Sequence, residues 1–174
     1  MIYLRKAKNE ETEKILEFYQ DTIESIRESE FKPKWNKNYP NLEFIKTHIK
    51  KQELYVYAQD DCIIACVVLN DRFDPDYENI NWTVEAESPD EIMIIHTFAV
   101  ESRYSGKGIG KEIFNQIKDN ATKNNKKAIR LDIIDGNIGA QKVFERFGFE
   151  YIESVEMFHE AVGVEKFHLY EYAL

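Results

Sequence analysis

Three of the chain's seven glycines fall within five residues, at Gly106, Gly108 and Gly110, in the run Ser105-Gly106-Lys107-Gly108-Ile109-Gly110. Glycine costs conformational entropy, so such a cluster at the start of a helix needs a reason. Close approach of backbone N–H groups to an anion supplies one, with the positive end of the helix dipole behind them. Lys107 and Lys111 add positive charge, and the favoured ligand is a phosphate or pyrophosphate. A P-loop requires Gly-Lys-Ser/Thr, whereas Gly110-Lys111 is followed by Glu112. A dinucleotide fingerprint requires a third glycine where Lys111 stands, and it normally follows the first strand, while this loop follows roughly the fourth. Both nucleotide patterns fit poorly; a loop without a ligand is the remaining alternative.

The elements that must position this loop follow from periodicity. Ile2 to Ala7 reads as a strand, and Asn9 as the cap of a helix running to about Arg27, with Ile15, Leu16, Tyr19, Ile23 and Ile26 on its apolar face. Phe31 to Pro40, with Pro33, Trp35, Tyr39 and Pro40, reads as an irregular aromatic loop, and Asn41 as the cap of a helix through Lys50. Leu54–Ala58 and Cys62–Leu69 form a hairpin turning at Asp60-Asp61. The acidic, aromatic stretch from Asp71 to Asp90, with Phe73, Tyr77, Glu78 and Trp82, is an insertion over one face. Ile92 to Val100 is nearly all apolar, as in a strand covered on both sides. A helix from about Gly108 to Asn124, with Ile109, Ile113, Ile117 and Ala121 inward, leads to a strand at Ala128–Ile134. A helix at Ile138–Phe147 and strands at Phe149–Met157 and Lys166–Tyr172 complete the chain. Alternating strands and helices with hairpins at either end predict a mixed α/β fold, one domain over residues 1–174, with helices on both faces of a mixed sheet.

Composition narrows the class. At 174 residues, 43% hydrophobic and 13% aromatic, the chain can bury a substantial core. Its 32 acidic and 23 basic side chains give a net charge of −9. With no dense Lys/Arg stripe, that argues against a nucleic-acid partner and suits a cationic one such as a protonated amine. The N-terminal MIYLRKAK has no signal-peptide pattern, and no stretch of 18 apolar residues suggests a membrane span. Cys62 and Cys66, four apart in a strand, read as reduced core residues. These features predict a cytoplasmic protein without a metal.

Residues His96 to Gly110 resemble motif A of the GNAT N-acetyltransferase superfamily, an apolar strand ending in valine followed by an Arg/Gln-x-x-Gly-x-Gly/Ala loop opening a helix. Thirty residues on, Asn137-x-x-Ala140-x-x-Val143-Phe144-x-x-x-Gly148-Phe149 resembles motif B, and the order of elements fits over nearly the whole chain. The resemblance implies a three-layer α/β/α sandwich around about seven strands, and acetyl transfer from acetyl-CoA to a primary amine in a ternary complex. It places the pantetheine arm on Phe98, Ala99 and Val100. The pyrophosphate would meet Ser105, Gly106, Lys107, Gly108, Ile109, Gly110 and Lys111, and the pantetheine would be flanked by Asn137, Ala140 and Phe144. Two positions depart from the pattern. Ser105 stands where the motif has Arg or Gln, and Phe144 where many members have a tyrosine proposed to protonate the leaving thiolate.

Direct attack needs a neutral amine and a group to take its proton. His96, on a strand with Phe98 and Val100 two and four residues on, is the candidate base; the alternative is a core histidine bonded to backbone. His48, His159 and His168 read as surface or structural. Trp35, Tyr39 and Trp82 are candidate acceptor-binding faces, with Tyr170 as a polar handle, against the alternative of space-filling aromatics. The expected product is an enzyme acting on a small-molecule or amino-acid-type amine, as a monomer or homodimer. A catalytically degenerate acyl-CoA-binding or sensing module, and a protein lysine or N-terminal acetyltransferase, are the competing functions.

Overall fold

The computed structural model describes residues 3–26, 34–36, 38–72, 75–77, 79–159 and 162–174. Expectations placed on Ile2, Arg27, Phe31, Pro33, Phe73 and Glu78 therefore lie outside the described residues. The strands are β1 (Leu4–Lys6), β2 (Leu54–Gln59), β3 (Cys62–Asn70), β4 (Ile92–Val100), β5 (Ala128–Ile134), β6 (Glu150–His159) and β7 (Gly163–Ala173). The helices are α1 (Thr12–Ile26), α2 (Leu42–Lys50), α3 (Ile109–Lys123) and α4 (Ile138–Phe147). The strands form one seven-stranded sheet in the order β1-β2-β3-β4-β5-β7-β6. Pairing of β4 with β5 is parallel, and β1–β2, β2–β3, β5–β7 and β6–β7 pair antiparallel. This is the mixed α/β fold that the alternation of elements predicts. Among the described residues no helix is long and apolar enough to cross a membrane.

The chain divides into two compact units. The first holds Met1–Glu30, Trp35–Leu69 and His96–Ile117; the second holds Phe31–Lys34, Asn70–Ile95 and Lys118–Leu174.

In the first unit the core joins Ile15 and Tyr19 of α1 with Ile45 and Ile49 of α2, Leu54 and Val56 of β2, Cys66 and Val68 of β3, and Ala99 of β4. The buried face of α1 is Thr12, Ile15, Phe18, Tyr19 and Thr22, with steps of three and four residues. It is rotated from the expected one: Leu16, Ile23 and Ile26 are only half-buried. Thr22 fits because its hydroxyl donates to the Phe18 carbonyl at 2.8 Å. The start of α1 also differs from expectation. Asn9 lies inside a short 3-10 turn, and the Glu11 carboxylate accepts from the Lys8 N–H at 2.8 Å while pairing with Arg5. Asn41 does cap α2, accepting from the Phe44 N–H at 2.9 Å. Cys66 is buried, but Cys62 is exposed. A register shift at Tyr57/Ala58 breaks the alternation along the hairpin, and Cys62 begins β3 right after the turn, so the two thiols do not share a buried face.

In the second unit, Tyr77, Ile92, Ile94, Ala128, Ile134, Met157, Phe167 and Leu169 form the core. A buried ion pair lies beside it: Arg130 Nε donates to Glu171 Oε2 at 2.8 Å. The other carboxylate oxygen of Glu171 accepts from the N–H groups of Thr83 and Val84 and from the Thr83 hydroxyl. Arg130 donates to the Val84 carbonyl at 2.8 Å and lies 4.2 Å from the centre of the Trp82 ring. Burial pulls the guanidinium's pKa below its ordinary value even with Glu171 beside it. These contacts fasten the 79–84 stretch to β5 and β7.

Candidate active site

The glycine loop lies in the first unit. A 3-10 turn at Ser102–Tyr104 leads from β4, and α3 begins at Ile109. Gly106 and Gly108 have φ of +73° and +81°, values that side-chain-bearing residues rarely adopt. A Cβ at either would meet no atom within 4 Å, so the space beside the backbone is open. Within the helix the N–H groups of Ile109, Gly110 and Lys111 have no acceptor four residues back. Lys107 and Lys111 are exposed, as are Ser105, Gly106 and Gly108. Helix-start donors and open space lie together beside two exposed lysines, of which Lys107 rests with its ammonium 5.5 Å from the centre of the Tyr104 ring. Ser105 adds little to it, because its N–H donates back to Ser102 at 3.0 Å. Arg103 does not replace the missing Arg/Gln, since it pairs with Glu101 and lies against the Tyr104 ring. The start of α3 is held from below: Tyr57 is buried and its hydroxyl donates to Glu112 Oε1 at 2.7 Å. Burial first, and then Glu112, push that phenol up to about 12.

Upstream of the loop, β4 contains an irregularity that spacing does not reveal. Thr97 has φ of +47° in the middle of the strand. For a β-branched residue this is a strained conformation. The Tyr19 hydroxyl donates to the Thr97 carbonyl at 2.9 Å and lies 3.4 Å from its Oγ1. Tyr19 is 0% exposed. His96, Phe98 and Val100 are half-buried and Ala99 is buried. Because Thr97 interrupts the period of two, a common face for His96, Phe98 and Val100 no longer follows from spacing.

The aromatic residues of the irregular loop pack in the same unit. Trp35 meets Tyr19 edge-on at 5.9 Å, and Tyr39 meets Phe44 edge-on at 5.1 Å. Phe44 in turn lies 4.3 Å from His48, whose Nδ1 is 2.8 Å from Glu53 Oε2. Trp35 and Tyr39 remain half-buried.

The other sequence candidates are placed in the second unit. Asn137 caps α4 and accepts from the Ala140 N–H at 3.3 Å. Phe144 is buried, with edge contacts to Phe147 at 5.8 Å and Phe149 at 5.3 Å. Trp82 stacks on Arg130, packs 5.4 Å from Tyr77 and donates from its indole N–H to the Tyr77 carbonyl at 3.3 Å. Tyr170 is 2% exposed and its hydroxyl reaches Glu145 at 3.3 Å. Burial raises its pKa to about 12. Tyr170 is thus committed to packing, whereas Trp82, like Trp35 and Tyr39, is half-buried.

Sequence reasoning missed two polar networks. In one, Asp135 Oδ1 lies 2.7 Å from His168 Nε2, His168 Nδ1 lies 2.7 Å from Ser154 Oγ, and Ser154 lies 2.8 Å from the Tyr151 hydroxyl. It ties β6 and β7 to the turn that leads into α4, and His168 bonding holds Asp135 below the usual carboxylate range. The other is the Arg130–Glu171 clamp. Charged residues alternating in predicted strands were the available signal, but partner identity depends on register.

The chain matches the Acetyltransferase (GNAT) family over residues 15–149, and it is a member of that family. Among curated proteins it is 33% identical over 70 residues to the spermine/spermidine N(1)-acetyltransferase of Bacillus subtilis (strain 168). That alignment covers 40% of this chain and 46% of the relative, so the match spans under half of the relative's length. A GNAT-family acetyltransferase structure from Streptococcus agalactiae 2603 has a TM-score of 0.82 at 17% identity, covering 99% of this chain and 95% of its own. The structure of yncA from Salmonella typhimurium with its cofactor acetyl-CoA has a TM-score of 0.69 at 13% identity, covering 100% and 94%. At these identities the structural matches establish the fold.

Proposed function

We propose that the protein transfers the acetyl group of acetyl-CoA to a primary amine on a small molecule. The observation that carries this reading is the loop at Gly106 and Gly108: left-handed glycines beside open space, at a helix start, with Lys107 and Lys111 exposed around them. In this reading the amides of Gly106 and of Gly108 to Lys111 hold the pyrophosphate, the Lys107 N–H being turned to the Tyr104 carbonyl, and the backbone of Phe98, Ala99 and Val100 bonds the pantetheine arm. Asn137, Ala140 and Phe144 are assigned to the pantetheine on the motif B resemblance. The matched region of the Bacillus subtilis relative, named for spermine and spermidine, supports a cationic amine as acceptor, and so does the net charge of −9.

Acetyl-CoA supplies a thioester whose carbonyl carbon accepts the amine nitrogen as the carbon–sulfur bond breaks. His96 accepts the proton that the ammonium must lose. Trp35 and Tyr39 offer the aromatic faces on which a cationic chain rests. Phe144 has no proton to give, so the departing thiolate takes its proton from water or from another tyrosine.

A panel of amines, including linear polyamines and amino acids, tests this reading by release of free thiol from acetyl-CoA. Release with at least one amine, lost in Gly108→Glu, is expected. The buried phenyl ring of Phe144, in place of a hydroxyl, favours the second reading of an acyl-CoA-binding module without turnover. That reading predicts acetyl-CoA binding with no thiol release from any amine.

A further inference from the structure

The strain at Thr97 needs a source of compensation, and the surroundings provide one. Its carbonyl receives a hydrogen bond from a tyrosine that water does not reach. Burial, with Cys66 nearby, pushes the Tyr19 pKa well above the ordinary phenol range, so the hydroxyl stays a donor at any working pH. Tyr19 cannot easily move, because Phe18 and Trp35 meet its ring edge-on at 5.5 and 5.9 Å. It sits in the same core as Ala99, two residues beyond Thr97. A left-handed residue in a strand sets the direction of every N–H and C=O that follows it. Here those groups belong to Phe98, Ala99 and Val100.

We infer that Tyr19 is a positioning residue: its hydroxyl holds Thr97 in the left-handed conformation and thereby aims the backbone of Phe98–Val100 for acetyl-CoA. This rests on the cofactor reading of β4 given above and adds to it a determinant on α1, outside both motifs. Without the hydroxyl, Thr97 relaxes to an ordinary extended conformation for part of the time, and the binding-competent fraction falls. Apparent affinity for acetyl-CoA falls with it.

Isothermal titration with acetyl-CoA tests this on the wild type, Tyr19→Phe, Thr97→Gly and the double variant. Tyr19→Phe weakens binding by about five- to tenfold, the loss expected for one buried hydrogen bond, with unchanged stoichiometry. Glycine adopts positive φ without strain, so Tyr19→Phe costs less than about twofold in the Thr97→Gly background. A merely structural tyrosine would instead lower the number of sites per chain at unchanged affinity. Wild-type affinity in Tyr19→Phe, reduced stoichiometry alone, or an equal loss in both backgrounds overturns the inference. Absence of acetyl-CoA binding to the wild type overturns the cofactor reading itself, and the inference with it.

Discussion

The glycine loop and the Arg130 clamp both gather charge, aromatic rings and backbone donors, and they use them in opposite ways. Around Arg130 each group answers another: guanidinium to Glu171, Glu171 to Thr83 and Val84, and the Trp82 face to Arg130. At Gly106–Lys111 the lysines are exposed, the first-turn amides face no intrahelical acceptor, and the space beside the glycines is open. A polar cluster that satisfies itself holds a fold together, while one with exposed donors is what the proposed coenzyme A site requires.

Breaking the clamp has the largest expected effect. Glu171→Gln leaves Arg130 charged and buried without its counter-ion, and stability falls by about 3 kcal/mol or more. Urea denaturation measures this; a change below about 1 kcal/mol would mean that the pair is dispensable. Gly108→Glu comes next, placing a side chain and a negative charge at a left-handed position. Acetyl-CoA binding falls by about a hundredfold while the melting temperature falls by only a few degrees, the cost of a side chain at positive φ, since the added Cβ itself meets open space. Were the melting temperature to collapse with the affinity, the loop would resemble the clamp and the comparison would fail.

Lys107→Ala and Lys111→Ala each weaken acetyl-CoA binding by about three- to fivefold at low salt and less at high salt, as exposed charges at a helix start should. Titrations at two ionic strengths separate this from a packing effect. The smallest effect concerns Asp135. Its pKa is lowered by the hydrogen bond to His168, so its contribution to stability is present above its unfolded pKa and is lost as pH falls through the lower folded value. Wild type therefore loses stability below about pH 4 that Asp135→Asn does not lose, and acid unfolding curves of the two proteins show it.

Much of the molecule was legible in the chain. Apolar periodicity located the elements of the mixed sheet, and glycine spacing located the loop, because both signals are local. What was hidden depends on long-range register. Phe18 and Thr22 replaced Ile23 and Ile26 on the buried face of α1, since the neighbouring helix and strands choose which stripe faces inward. Whether Trp82 was an acceptor-binding face or a space-filling ring could not be read locally, because its partner Arg130 lies 48 residues away in the chain. Thr97 carried no sign of positive φ, since a threonine is among the residues least suited to it. Its cause, the hydroxyl of Tyr19, is 78 residues upstream.

The central claim is that the open loop is a coenzyme A site, and isothermal titration of the intact chain with acetyl-CoA tests it most directly. The account predicts saturable binding of one molecule per chain, weakened about a hundredfold in Gly108→Glu and retained in a folded Trp82→Phe variant. An unaltered affinity in Gly108→Glu, or no heat of binding in the wild type, would contradict it.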